Sequence, residues 1–353
     1  MKTTSKLFFL VLMLVTLAVL PAVCDAADGF TITAPLAGQT VFSCSDLTVS
    51  GGTVDSAGIS TNTIGSHGDI ASNGNIKISG GTVKGNATAG PGKTVTTSGS
   101  GVVTGTRSSA ASAQNCSPID LSPLVTTVSA SNDNGSIPLT GQRKNPLSGT
   151  NHTVFSMGGG DTLALPPGTY YFTSFTLSGG ASITLTGLTR ILCTGKVDIS
   201  GGSFDNSDPY RLRLWISGAG PFTLSGGSTL KGFVYAPSAP STISSSTLNG
   251  GIFASQVTIS GSSHVTRAVD DIAPQVTITS PANDSVVSDA AHVLVKGTVA
   301  DDETDVTLLV NGQADTIAAD VPWQITLKLS GSDSPAHISA VAPDPSGNTA
   351  PQP

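Results

Sequence analysis

Charge is scarce in this chain. Only 11% of its 353 residues are Asp, Glu, Lys or Arg, against about 25% in a typical globular domain. The formal balance of −7 is spread thinly and no basic run occurs. That argues against nucleic acid as a partner, because phosphate binding needs clustered Lys and Arg. Glu, Gln, Lys and Met are rare after residue 27, so the side chains that fill helices are missing. There is no Cys-x-x-Cys and no Cys/His spacing suited to zinc or haem. There is also no G-x-S-x-G, H-E-x-x-H or phosphate-binding loop with its lysine, which removes the commonest hydrolase and nucleotide signatures.

What is present reads as strand. Hydrophobic residues make up 38% and glycines number 41. The apolar residues are mainly Val, Ile, Leu and Ala interleaved with Thr and Ser, and β-branched side chains pack well on a pleated surface. The one long apolar run, Leu7 to Leu20, follows Lys2 and Lys6 and precedes small residues from Ala22 to Ala27. That is the layout of an export signal over residues 1–26, too short and too soon interrupted by Pro21 for a membrane span. The expected location is therefore secreted, extracellular or cell envelope, with no membrane span after cleavage. Cys24 is a candidate for lipidation, although Pro21-Ala22-Val23 lacks the usual Leu three residues before it. Of Cys44, Cys116 and Cys193, the first two sit beside turn residues and are the expected disulfide. Cys193 lies in the apolar stretch Arg190-Ile191-Leu192-Cys193 and reads as a small buried hydrophobe.

A phrase recurs along the chain: an alternating strand, then Ser-Gly-Gly, then another strand. It stands at Leu47-Thr-Val-Ser-Gly-Gly-Thr-Val54, Ile76-Lys-Ile-Ser-Gly-Gly-Thr-Val83, Phe175-Thr-Leu-Ser-Gly-Gly180, Val197-Asp-Ile-Ser-Gly-Gly-Ser-Phe204 and Phe222-Thr-Leu-Ser-Gly-Gly-Ser-Thr-Leu230. Degenerate copies follow at Thr242-Ile-Ser-Ser245 and Val257-Thr-Ile-Ser-Gly261. Alternation puts apolar residues on one face of each strand, and glycine permits the sharp corner. Recurrence every ~15–25 residues is the spacing of a solenoid whose coils must stack to share a core. The predicted fold is all-β: a parallel β-helix over 27–268, then a small Ig-like β-sandwich. A sandwich or barrel of hairpins is the alternative for the first part. The copies fall into two blocks, 28–107 and 153–268. Between them, about 108–152, lies a Pro-containing excursion packed on the solenoid or a loose linker. A short helix is expected there, with Ser117 as N-cap and Pro118 at its first position.

After Asp270-Asp271-Ile272-Ala273-Pro274 the phrase stops. Strands are expected at Val276–Thr279, His292–Val299, Val306–Val310, Trp323–Leu329 and His337–Val341, a spacing suited to an Ig-like sandwich over 274–353. Pro274-Gln-Val-Thr-Ile-Thr-Ser-Pro-Ala-Asn283, Val295-Lys-Gly-Thr-Val-Ala-Asp301, Leu309-Val-Asn-Gly312 and Asp344-Pro-Ser-Gly-Asn-Thr349 together resemble bacterial Ig-like modules. The closest kind is that of secreted glycan-active and cell-surface proteins, including the glucodextranase type. Such modules usually continue into a last strand after Gly-Asn-Thr, and this sequence stops at Pro353. Pro166-Pro-Gly-Thr-Tyr-Tyr-Phe172, Ile191-Leu-Cys-Thr-Gly-Lys-Val-Asp-Ile-Ser-Gly201 and Leu230-Lys-Gly-Phe-Val-Tyr-Ala-Pro237 resemble the Gly-rich β-helical domains of secreted and pilus-associated bacterial proteins. This resemblance implies surface architecture and no catalytic assignment.

Candidates for chemistry are few. Asp205, Asp208, Arg211 and Arg213 form the densest catalytic-type cluster, two carboxylates with two guanidiniums around Tyr210, as polysaccharide cleavage would need. The competing reading is a turn at Asp205-Asn-Ser-Asp-Pro209, with Arg213 a solvent-facing strand residue. Asp301, Asp302 and Asp305 are weak calcium candidates or a solvated loop; no other cofactor is expected. Trp323 reads as sandwich core, and Trp215 as an outward aromatic that can stack on a sugar. The five histidines are scattered, with no recurrent Ser or Asp partner nearby, and read as surface or strand residues. The functional expectation is a non-enzymatic scaffold or adhesion protein whose partner is a cell-surface protein or a polysaccharide. A polysaccharide-binding or -degrading β-helix, and a pilus or secretion-assembly component, are the alternatives.

Overall fold

The computed structural model describes residues 38–58, 64–139, 142–270, 273–287, 292–301, 305–311, 313–318, 322–329, 337–343 and 349. The expected signal segment and Cys24 lie outside them. From Thr40 to Val269 the alternating strands stack in parallel as a three-sided solenoid of nine coils, each placing one strand on faces here named A, B and C. The first coil runs Val154–Met157 (face A), Thr162–Leu165 (face B) and Gly168–Phe172 (face C). The second runs Ser174–Ser178, Ser182–Leu185 and Thr189–Cys193, and the third Val197–Ser200, Ser203–Phe204 and Leu212–Ile216. The long strands Thr229–Ser244 and Thr247–Ser260 each bend through faces B, C and A and so build coils four to six.

The stacking order is not the chain order. Face A of coil six, at Val257 to Ile259, pairs in parallel with Leu47 to Val49. On face B, His264–Val269 pairs with Thr53–Gly58. On face C, Ile252 to Ala254 pairs with Val41 to Ser43. Coil six is therefore composite: faces A and B come from the second sequence block and face C from the first. Coils seven to nine follow, ending with Val95–Thr97, Val102–Val103 and Arg107–Ser109.

This order forces residues 111–152 to cross the length of the rod. The excursion expected at about 108–152 is thus a strap that packs on the solenoid. It is fixed first at Asn73, whose side chain exchanges two hydrogen bonds with the Gln114 backbone at 2.8 and 2.9 Å. A disulfide joins Cys116 to Cys44. The Tyr235 hydroxyl then accepts from the Ile119 amide and donates to its carbonyl, at 3.2 and 3.1 Å. Helix α1 (Ser122–Ala130) follows, and Asn134 finally clamps the Tyr171 backbone of coil one. The helix opens four residues later than predicted, with Leu121 in place of Ser117 before its first residue. Ser117 is held in a turn by the Asn115 side chain, and Asp120 accepts from the Ser122 amide at 2.9 Å, so the coil-to-helix change falls there.

Two apolar layers result. One fills the solenoid interior. The other lies outside face C, where Leu192, Trp215, Tyr235, Phe253 and Phe42 stand one above another and the strap covers them with Leu121 and Val128. Trp215 points outward as expected but is buried under the strap, so it offers no platform to a sugar. The two ends of the rod are finished differently, with Ile137 and Leu147 of the strap joining the interior layer at coil one. At coil nine the inward position held by Ala87 in coil eight becomes Arg107, which donates to Thr97 across the open end at 3.0 Å.

The C-terminal region forms two small antiparallel sheets. Gln275–Ser280, Val293–Ala300 and Trp323–Leu327 make one, and Asp305–Val310, Gln313–Ala318 and Ala340–Val341 the other. Between them Val295, Val299, Leu308, Val310 and Trp323 are buried, the arrangement of an Ig-like sandwich.

Candidate functional site

Face A carries the recurring phrase. In each strand the apolar residues point in and two residues point out, two positions apart. The first outward column, from coil one to coil nine, is Ser156, Thr176, Asp198, Thr223, Thr242, Thr258, Thr48, Lys77 and Thr96. The second is Ser178, Ser200, Ser225, Ser244 and Ser260, continued by Ser50, Ser79 and Ser98 from coil two onward. All are exposed or half-exposed. Parallel pairing repeats each hydroxyl about every 4.8 Å along the rod, and the two columns lie about 6.6 Å apart along the strand. The chain turns from face A to face B immediately after the serines. In coil four that turn is Gly226-Gly227 at φ +69° and +77°, a left-handed pair that side chains with Cβ resist. Where the phrase degenerates, Ser245 takes the same backbone at φ +49°.

Both ends of the solenoid chain leave from one corner. Face B of coil six ends at Val269, and its face C begins at Val41. The B–C corner of a three-sided coil lies opposite face A. Thr40 and Val269 therefore lie at the corner away from the hydroxyl columns.

The sequence-predicted cluster divides. Asp205 is exposed and pairs with Lys231 at 3.3 Å on face B. Asp208, Arg211 and Arg213 stay together around Tyr210. Asp208 caps a short 3-10 turn by accepting from the Tyr210 amide at 2.7 Å and pairs with Arg211 at 3.7 Å. Arg213 donates to the Tyr210 carbonyl at 2.5 Å. Burial raises the Asp208 carboxyl to about 6, against the pull of the Tyr210 amide and Arg211. Arg213 is 2% exposed and Asp208 5%. Arg213 is thus not the solvent-facing residue expected, because the 205–211 insertion folds over it and Tyr210 packs on Phe233 at 5.0 Å. The arrangement holds the insertion to the coil. Of the calcium candidates, Asp301 is half-buried. Asp302 and the Asp305 side chain lie outside the described residues. Among the described residues no three His, Cys, Asp or Glu side chains gather as a metal site would require.

One polar group was not legible beforehand. Asp55, fully buried on face B of coil seven, accepts from His264 Nε2 at 3.0 Å and pairs with Lys84 at 3.6 Å. His264 stands in coil six, so the contact closes the seam between the two sequence blocks.

Residues 24–265 match the family model of the ice-binding-like adhesive domain. The chain belongs to that family. Residues 274–341 match a bacterial Ig domain. Among solved structures the chain is similar to an ice-binding protein from an Antarctic biological consortium, with 16% identity and a TM-score of 0.27 over 66% of this chain and 88% of that one. No curated protein matches the chain. An adhesive domain followed by a bacterial Ig domain is the composition of an extracellular, surface-located protein of the adhesion type. Among the described residues no helix is long and apolar enough to cross a membrane.

Proposed function

We propose that this protein is a non-enzymatic surface adhesin whose contact surface is face A. The observation that carries this reading is the pair of outward hydroxyl columns, repeated coil after coil on one sheet and turned away from the corner that holds Thr40 and Val269. Hydroxyls at a fixed spacing make many weak, regularly repeated hydrogen bonds. They gain most from a partner that repeats too, such as an ice surface or a crystalline polysaccharide. Preorganisation helps, since strands locked into a stacked core lose little freedom on contact. The buried state of Asp208 and Arg213 adds support for a role without catalysis.

The test is retention of the purified chain on growing ice and on insoluble cellulose and chitin, compared with two single variants. Thr242→Tyr puts a bulky ring at the centre of face A, while Thr247→Tyr puts the same ring on face B. Retention on at least one surface, abolished by Thr242→Tyr and kept by Thr247→Tyr, is expected. Equal loss or equal retention in the two variants overturns the assignment of face A.

A further inference from the structure

The first outward column of face A has a symmetry that stacking alone does not require. From coil two to coil nine it reads Thr176, Asp198, Thr223, Thr242, then Thr258, Thr48, Lys77, Thr96. About the midpoint between Thr242 and Thr258 this order is a palindrome in which a negative charge on one side answers a positive charge on the other. The second column is serine at all eight levels and reads the same in both directions. Neither Asp198 nor Lys77 pairs with another charged side chain among the described residues. Five strand spacings separate them, about 24 Å, which exceeds a Debye length at physiological salt. They do not neutralise each other within one molecule.

We infer that face A is also a homophilic contact, on which a second copy of the chain packs with its rod reversed. This rests on the reading of face A as the adhesive surface and names a partner for it. The twofold axis runs parallel to the strands, between Thr242 and Thr258. Rotation about it reverses the rod and the face normal and keeps the strand direction, so Thr lies on Thr and Ser on Ser. Asp198 of each copy then faces Lys77 of the other, and both ion pairs form at once, as a self-complementary interface demands. Rotation about an axis along the rod would instead bring Asp198 level with Asp198 and Lys77 level with Lys77, so that neither ion pair forms. The charge pattern thus selects one of the two ways of facing two copies. Eight strands at about 4.8 Å, with a contact about 10 Å wide, bury on the order of 700–800 Å² in total. That is below the roughly 1,200–2,000 Å² of a stable complex. A single pair is therefore weak, and the contact acts between arrays of copies, where multivalency multiplies it.

The experiment uses beads coated with the full chain and follows their clustering at about 20 mM and about 0.5 M salt, a range across which screening removes the charge term. Clustering at low salt that falls at high salt is expected. Asp198→Lys and Lys77→Asp each replace two attractions with two repulsions, and each is expected to lower clustering about tenfold or more. The double exchange, Asp198→Lys with Lys77→Asp, restores both pairs and should restore clustering. So should a mixture of the two single variants, which cluster with each other and not with themselves. Dispersed parental beads, or single variants that cluster as well as the parent, overturn the inference. Loss of ice or polysaccharide retention in Thr242→Tyr, found together with either result, leaves face A as the adhesive surface and removes only this partner.

Discussion

Coils one to four fill their interior with rings, whereas coils seven to nine manage with small aliphatic side chains and hold their corners with amides and carboxylates. Phe155 and Phe175 stack at 4.6 Å, and Phe175 meets Phe204 at 5.8 Å and Phe172 at 5.6 Å. In coils seven and eight the first inward positions of face C are Ile70 and Ala87. There Asp46 accepts from the Asn75 amide and Asn75 from the Thr94 amide, at 2.8 and 3.2 Å. A second ladder runs from Asp69 through Asn86 to Thr106. The number of residues per coil does not sort the two kinds: the ring-filled step from Phe155 to Phe175 is 20 residues, while the aliphatic steps from Leu47 to Ile76 and from Ile76 to Val95 are 29 and 19. What differs is the size of the inward side chains, which fill each coil towards close packing.

The sharpest way to break this contrast is Phe175→Ala. Its ring lies between two others in a region where neighbours are held by the backbone ladder and cannot collapse inward. A loss of about 4 kcal/mol is expected by urea unfolding. Ile76→Ala, at the equivalent inward place in coil eight, should cost less. A larger loss at Ile76 would mean that ring packing does not distinguish the two regions.

Much of this was legible from local pattern, and the misses share one cause. Alternation and the Ser-Gly-Gly corners point to a stacked β-helix because both are properties of consecutive residues. The Ig-like strands were legible for the same reason, except Gln313–Ala318, whose Gln-Ala-Asp-Thr-Ile-Ala lacks regular alternation. Spatial order was not legible. The Val257–Ile259 strand pairs with Leu47–Val49 some 210 residues away, and one copy of a repeated phrase fits beneath any other. Everything that depends on that order was hidden with it. The outward side of Trp215 follows from alternation, but its burial follows from a strap docking across the coils. The His264–Asp55 pair exists only because the two blocks meet. The cluster at Asp205–Arg213 was found in sequence as a group of charges. Its division into an exposed surface pair and a buried brace depends on how the insertion folds over Phe233.

The buried brace supplies a second, smaller test within the ring-packed half. Burial raises Asp208 to about 6 from an ordinary value of 3.8. A carboxyl raised in the folded state contributes its full stability below about pH 4, and that contribution is lost as pH rises through about 6. Asn at this position stays neutral and still offers an oxygen to the Tyr210 amide. Asp208→Asn is therefore expected to be more stable than the parent at pH 8 by about 3 kcal/mol, since each pKa unit is worth about 1.4 kcal/mol and the value of about 6 already includes the pull of Arg211. The two should converge near pH 4. A variant that is less stable at pH 8 than at pH 4, relative to the parent, would show that the ion pair with Arg211 outweighs burial.

The smallest effect belongs to the corner ladders and decides whether they bear stability at all. Asn75 stands in the middle of one ladder. It donates its amide to Asp46, and its side-chain oxygen accepts from the Thr94 amide and hydroxyl. Asn75→Ala removes the rung to Thr94 and a long side-chain contact to Asp46 at 3.5 Å, and leaves the shorter rung to Asp46, because that one uses the backbone. The Thr94 amide is exposed and water can replace the lost acceptor, so the cost is set near the ordinary net value of one hydrogen bond, about 1 kcal/mol. Amide hydrogen exchange localises it: protection should fall at Thr94 and along Val95–Thr97, and stay unchanged in Val154–Met157 at the opposite end of the rod. If protection falls at both ends, the nine coils unfold as one cooperative unit, and the two kinds of packing are alternative fillings of a single structure. If it falls only at coil nine, the amide-laddered end frays independently of the ring-packed one, as nearest-neighbour stacking predicts for a solenoid.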